Sequence, residues 1–273
     1  MSEPKPVVWL DDSACRDVRV AGGKGASLAR MTAAGLNVPP GFVIRADVLA
    51  SLVDTGALRA CAARLDNEGA QGLVRASDPP REEISRAYER LGGSVAVRSS
   101  ACAEDSEDAS FAGQQETFLE IEGAHQVCDR VVDCWASFFS ARALFYRSQK
   151  GSLEDLAMAV VVQTMIDAEK SGVLFTVDPV GRRRDRVLVE AVYGLGEQVV
   201  SGQVTPDHYI TDRNGNVKME RLVHGGVLTR DELLSLVEAG TSLEGHFGAP
   251  QDIEWSISDG KLFLLQSRPV TTL

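Results

Sequence analysis

Glu254, Gln266 and Arg268 stand on two short apolar runs, Asp252 to Ile257 and Lys261 to Pro269, separated by Ser258-Asp259-Gly260. That tripeptide reads as a three-residue hairpin loop with glycine in the left-handed position. An odd loop puts residues of equal parity on one face, so Glu254, Gln266 and Arg268 would share a face while Trp255, Ile257, Phe263 and Leu265 pack the other. A carboxylate and an amide oxygen are hard ligands of the kind magnesium prefers, and a guanidinium beside them can neutralise a phosphate. The same pattern fits the polar, solvent-facing side of an edge hairpin.

Two further cations stand in suggestive places. Lys24 lies within Gly22-Gly23-Lys24-Gly25 at the mouth of a helix, where backbone amides can approach an anion and the lysine adds a point charge. The run satisfies neither standard glycine-rich nucleotide motif, and a structural turn is the commoner explanation of such a run. Arg98 ends the apolar strand Ser94 to Arg98, where it needs an anionic partner, either a ligand or a nearby acid such as Glu104 or Asp105. Ser110 to Thr117 joins a glycine to hydrogen-bonding side chains, as a phosphate-covering loop or an ordinary turn would. His125, His208, His224 and His246 are isolated from one another, and neither zinc spacing nor a nucleophile elbow is present.

The elements that must hold these residues alternate between strand and helix. Val7 to Leu10 reads as a strand, and a helix begins near Lys24 and stops at Gly35. Asp47 to Gly92 reads as helical with a loop at Asn67 to Pro80, Ser99 to Gly113 as a long polar loop, and Thr117 to Ile121 as a strand. His125 to Arg147 reads as one amphipathic helix. Short β-branched runs follow at Ala159 to Met165, Gly172 to Val177 and Arg186 to Val192. Asn214-Gly215 signals a hairpin, and Thr229-Arg230-Asp231-Glu232 a capping box opening a helix to about Glu244.

Composition bounds the function. The 273 residues are 44% hydrophobic and 25% charged, enough for two modest domains and unlike a disordered chain. A net charge of −11 argues against a nucleic-acid partner, so any phosphate must be met by locally placed cations. No apolar stretch approaches the ~20 residues of a membrane span, and the start lacks a secretory layout. A cytoplasmic protein with no membrane partner is expected, its five scattered cysteines reduced and packed as small hydrophobes.

Taken in order, these segments resemble the N-terminal nucleotide-binding domain of the phosphoenolpyruvate synthase, pyruvate phosphate dikinase and rifampin phosphotransferase family. The resemblance rests on Gly22 to Leu28, Val38-Pro39-Pro40-Gly41-Phe42, Ala96 to Ser100 through Glu104-Asp105, and Ala109 to Thr117. It continues through Val161 to Met165, Ser171 to Thr176, Gly194-Leu195-Gly196-Glu197, Asp252 to Trp255 and Gln266-Ser267-Arg268-Pro269. Each piece is weak alone; their joint order is specific.

The resemblance implies an α+β, ATP-grasp-like fold in two lobes, expected at 1–165 and 166–273, with ATP clamped between them. It implies Lys24 and Arg98 on the phosphates, Gly113 and Thr117 in the phosphate-covering loop, Gln163 near the adenine, Glu254 and Gln266 on magnesium, and Arg268 at the distal phosphates. Lys24, Arg98 and Arg268 would be the catalytic cations. In the family, ATP phosphorylates a histidine on a separate swivelling domain, leaving AMP and phosphate in the synthase and rifampin branches, and the phosphoryl group then passes to an acceptor. Only Val270 to Leu273 follow the Gln-Ser-Arg-Pro segment, and no histidine here stands in the family's phospho-acceptor context. The stretch from Tyr209 to Thr229 is also short for the family, and Cys102 replaces the more usual threonine. The expectation is an ATP-binding subunit working with a separate phospho-histidine subunit, the small-molecule acceptor being pyruvate, a phenol or an antibiotic. A free-standing small-molecule kinase and a non-catalytic ATP-sensing module are the alternatives.

Overall fold

The computed structural model describes residues 5–102, 116–150, 153, 155–181, 183–196, 202 and 204–270. The architecture is α+β, with two antiparallel sheets, and the chain divides into two compact units: Met1–Arg30 with Pro40–Met165, and Met31–Pro39 with Ile166–Leu273. No helix among the described residues is long and apolar enough to cross a membrane.

The first unit contains β1 (Val7–Trp9), most of α1 (Val18–Ala33), β2 (Gly41–Ile44), α2 (Val48–Leu52), α3 (Thr55–Ala63), α4 (Asn67–Arg75) and α5 (Arg81–Leu91). It continues with β3 (Val95–Ala101), β4 (Thr117–Ile121), α6 (Ala124–Ser137), α7 (Ala141–Lys150) and β5 (Met158–Thr164). The strands pair in the order β1-β2-β5-β3-β4. Alternation then divides the side chains. Phe42, Ile44, Val95, Val97, Val160 and Val162 join Leu58, Val74, Ile84, Val131 and Trp135 in one core, so α3 to α6 cover this face. The alternate residues Val43, Val161, Arg98 and Thr117, which oppose one another from strand to strand, form a row on the opposite face.

Three sequence expectations are corrected here. Asn67 to Pro80 is not all loop: α4 forms under an Asp66 cap that accepts from the Gly69 N–H at 2.9 Å, and burial of Ala70 and Val74 overrides two glycines of low propensity. The expected long helix over His125 to Arg147 is two helices, because the chain turns at 138–140, where Phe138 and Phe139 are buried. Ser99 and Ser100 are not loop but strand, and Arg98 lies inside β3 rather than at its end. Their hydroxyls are satisfied within the structure: Ser99 donates to the Glu116 carbonyl and Ser100 to the Ala21 carbonyl. The rest of the expected loop, with Glu104 and Asp105, falls outside the described residues. Four of the five cysteines are buried, Cys102 is half-buried, and all five are free thiols.

The second unit contains β6 (Lys170–Phe175), β7 (Arg186–Tyr193), β8 (Asp207–Asp212), β9 (Val217–Arg221), α8 (Arg230–Phe247), β10 (Gln251–Ser258) and β11 (Lys261–Pro269). The sheet runs β11-β10-β6-β7-β8-β9. The capping box at α8 is present, with Glu232 also paired to Lys170 at 2.8 Å. This helix packs so closely on β6 that a Cβ on Gly240 would lie 2.6 Å from Leu174 Cδ2. Asn37 straps the outer edge of β11, its side chain donating to the Leu262 carbonyl at 2.7 Å.

The β10–β11 hairpin differs from expectation in an instructive way. Ser258 pairs with Lys261, so the turn is only Asp259-Gly260, both at positive φ (49° and 67°) as in a type I′ turn. A two-residue turn would by itself put Gln266 on the wrong face. A register shift restores it: Trp255 opposes Leu264 but Glu254 opposes Gln266, leaving Leu265 as the extra residue of a bulge. Leu264, not Phe263 and Leu265, therefore packs with Trp255 on the buried side.

Asp207 anchors the segment before α8. Fully buried, its carboxylate accepts from Val223 and His224 N–H at 2.6 Å each, Gly226 at 3.0 Å and Val227 at 2.9 Å. Burial alone would raise its pKa, but the four donors outweigh that and hold it below the ordinary carboxylate range. Asp207→Asn should cost about 2–4 kcal/mol in urea unfolding at pH 7. The wild-type advantage is complete above the unfolded pKa of about 3.9 and is lost as pH falls through the lower native value, so the two proteins should converge in acid. Equal stability at pH 7 would remove the anchoring role.

Candidate functional site

The first set of candidates belongs to the five-stranded sheet. Gly22 interrupts α1 with φ 68° and ψ 175°, so the helix proper restarts at Gly23 and carries Lys24 in its first turn. The interruption seats the helix on β3. The Gly25 N–H donates to Ser100 Oγ at 3.2 Å, and Ser100 Oγ donates to the Ala21 carbonyl at 2.9 Å. Gly25 lies close to Val43 and Val161, so the helix start crosses the face opposite the α3–α6 core. Lys24 is buried, and its Nζ donates to the Ser99 carbonyl at 3.1 Å. That bond stations the ammonium beside β3, one residue along from Arg98.

Arg98 directly opposes Thr117 on β4 and Val161 on β5, while Gln163 opposes Ala96 two residues along the same face. Arg98 and Gln163 are buried and Thr117 is exposed. Strand alternation thus brings Arg98, Thr117 and Gln163 to one face, with Lys24 reaching in from the helix start. Gly113 falls outside the described residues.

The second set belongs to the six-stranded sheet. Glu254 and Gln266 are direct cross-strand partners, as are Asp252 and Arg268. All four face away from the layer occupied by Leu174, Ile253 and Trp255, and so away from α8. Arg268 Nε donates to Asp252 Oδ2 at 2.9 Å, which restrains the guanidinium beside the Glu254–Gln266 pair. Asp252 is mostly covered; burial pushes its carboxyl up and Glu254 adds to this, while Arg268 pulls it back. The sequence reading missed the role of Asp252. The signal was present in the alternation Asp252-Ile253-Glu254, which puts both carboxylates on one face.

The profile of the pyruvate phosphate dikinase AMP/ATP-binding domain matches residues 18–225 and 214–273. The chain belongs to this family. Within it, a probable phosphoenolpyruvate synthase of Methanocaldococcus jannaschii is 40% identical over 319 aligned positions, covering 98% of this chain and 27% of that protein. The phosphoenolpyruvate synthase of Pyrococcus furiosus is 35% identical over 98% of this chain and 44% of its own length, and a Streptomyces rifampicin phosphotransferase 38% identical over 98% and 36%. The chain spans less than half the length of these relatives. Solved structures with low similarity include an ADP complex of N5-carboxyaminoimidazole ribonucleotide synthetase, at 10% identity over 93% of this chain and 46% of that one, TM-score 0.44. A Bacillus anthracis D-alanine–D-alanine ligase complexed with ATP matches at 10% identity over 93% and 54%, TM-score 0.39. Similarity at that level carries no argument about the site.

As an AMP/ATP-binding domain of this family, the chain has residues that fit a magnesium–nucleotide complex. Glu254 and Gln266 put two oxygen donors on adjoining strands at one register position, and magnesium completes its shell with phosphate and water oxygens rather than a full protein cage. The seat of Lys24 depends on Gly22. A Cβ there would lie 2.1 Å from the Ser100 carbonyl oxygen and would also have to adopt positive φ. Gly22→Ala should therefore destabilise the protein by about 3 kcal/mol or more in chemical denaturation. A change below about 1 kcal/mol would show that α1 can shift away from β3 without loss.

Proposed function

We propose that this chain is the ATP-binding component of a two-part phosphotransferase that phosphorylates a histidine on a partner protein, with AMP and phosphate as the nucleotide products. The phosphoryl group then passes to a small-molecule acceptor such as pyruvate, a phenol or an antibiotic. The observation that carries this reading is the pairing of Glu254 with Gln266 beside an Arg268 held by Asp252, on the sheet face turned away from α8. The names of the relatives, phosphoenolpyruvate synthases and a rifampicin phosphotransferase, support the reaction class and the variety of acceptors.

Phosphoryl transfer asks a protein mainly to position the phosphates and to balance the charge spread over the transferring group. Glu254 and Gln266 would hold magnesium, which would supply positive charge to draw electron density from the phosphates. Arg268, aligned by Asp252, meets the distal phosphates. Lys24 and Arg98 supply the remaining positive charge, Thr117 and Gly113 cover the phosphates, and Gln163 contacts the adenine. The nucleophile is the partner's imidazole, so this chain contributes binding, orientation and electrostatics.

Glu254→Ala should lower magnesium-dependent phosphorylation of a histidine-domain partner by about 100-fold or more while leaving circular dichroism and the melting temperature near wild type. Undiminished transfer in that variant would remove the metal assignment. The two-part reading is tested by mixing the purified chain with candidate histidine-domain proteins and ATP labelled in its β- and γ-phosphates. Label is expected on a partner histidine. ATP consumed without any partner would support a free-standing kinase, and ATP bound without turnover with any partner a sensing module.

A further inference from the structure

The polar face of the second sheet continues beyond the metal candidates. The registers place Gln266, Glu254, Val173, Glu190, His208 and Arg221 in one cross-strand row from β11 to β9. Directly opposed residues share a face, so Glu190 and His208 lie on the same side as Glu254. His208 Nδ1 stands 3.3 Å from Glu190 Oε1, and the two side chains remain 29% and 22% exposed. Burial pushes the Glu190 carboxyl up, His208 pulls it back, and Asp252 pushes it up again.

A purely structural role accounts poorly for this pair. A cross-strand ion pair with exposed members contributes about 0.2–1 kcal/mol. Partly burying a carboxylate in a field that already includes Asp252 works against that gain. The neighbours of Glu190 two residues away on the same face are the buried Leu188 and Val192, so the middle of the strand turns ionic at the register position of Glu254, while the other charged residue of this face, Arg186, stands at the strand's end opposite Asp212. A carboxylate is an acceptor-only group; it repels phosphate and favours hydroxyl or amine donors. Two strand spacings, about 10 Å, separate it from Glu254. This is the reach from the outer phosphates of an extended nucleoside triphosphate to its sugar hydroxyls.

We infer that Glu190 recognises the vicinal hydroxyls of the nucleotide's sugar, with His208 holding one carboxylate oxygen so that the other faces the ligand. The inference rests on the ATP-binding reading above and adds the part of the ligand that the metal and phosphate residues do not distinguish. Hydrogen bonds from sugar hydroxyls to a carboxylate are charge-assisted and belong to the stronger class. His208 is a positioning residue: it touches Glu190, not the sugar.

Calorimetric titration with magnesium and ATP, 2′-deoxy-ATP or 3′-deoxy-ATP tests the assignment. Wild type should prefer ATP over at least one deoxy analogue by about tenfold or more. In Glu190→Gln and Glu190→Ala that ratio should fall towards one, through weaker ATP binding rather than tighter analogue binding. His208→Gln should lower the ratio part of the way, an effect on discrimination that a merely structural residue would not produce. Melting curves identify any variant that fails to fold, and the isosteric Glu190→Gln then decides. Equal wild-type affinity for all three nucleotides, or an unchanged ratio in Glu190→Gln, overturns the inference while leaving ATP binding intact. Failure of wild type to bind any of them would instead overturn the ATP-binding reading itself.

Discussion

Every candidate strand residue in this protein is placed by one constraint: in an antiparallel ladder, directly opposed residues share a face and adjacent residues do not. Each sheet covers one face with helices, α3 to α6 in the first unit and α8 in the second, and that covered face takes the branched apolar side chains. The candidate site residues of the strands lie on the opposite face. Arg98, Thr117 and Gln163 come together in the first sheet for this reason, and Glu254, Gln266, Asp252 and Arg268 in the second. Register, more than any single contact, is the quantity the fold must protect.

The protections are local and specific. In the first sheet, Gly22 permits an approach of helix to strand that no side chain would allow, and Ser100 fills the gap with hydrogen bonds to both sides of the kink. In the second, Asn37 occupies the edge of β11 and Asp207 ties down the chain between β9 and α8. None of these residues is a candidate ligand contact. They hold backbone groups whose positions decide where the candidate side chains point.

Much of this was legible in the sequence, and the exceptions have physical reasons. The strand Thr117 to Ile121, the Asn214-Gly215 hairpin and the capping box at Thr229 are encoded in short-range chemistry and lie where the sequence put them. Helix α4 was hidden because Gly69 and Gly72 argue against a helix that tertiary burial of Ala70 and Val74 stabilises. The break at 138–140 was hidden because Phe138 and Phe139 continue the apolar pattern through it. Among the site candidates, Glu254, Gln266 and Arg268 were legible as residues of one face. The pairing of Glu190 with His208 was not, because it depends on the register of two strands 18 positions apart in sequence. Asp207 was hidden too, since its partners are backbone amides that no side-chain pattern reports.

The hairpin reached the expected face by an unexpected route, and the bulge at Leu265 gives that route a meaning of its own. It divides the hairpin into two segments whose alignments are set independently. The tip, where Trp255 meets Leu264, answers to the turn and to core packing; the base, where Glu254 meets Gln266, carries the proposed metal pair. A one-residue adjustment absorbed at this joint lets the tip be rebuilt without disturbing the base. A turn of different length at Asp259-Gly260 would thus shift the side chains of the tip and leave Glu254 opposite Gln266.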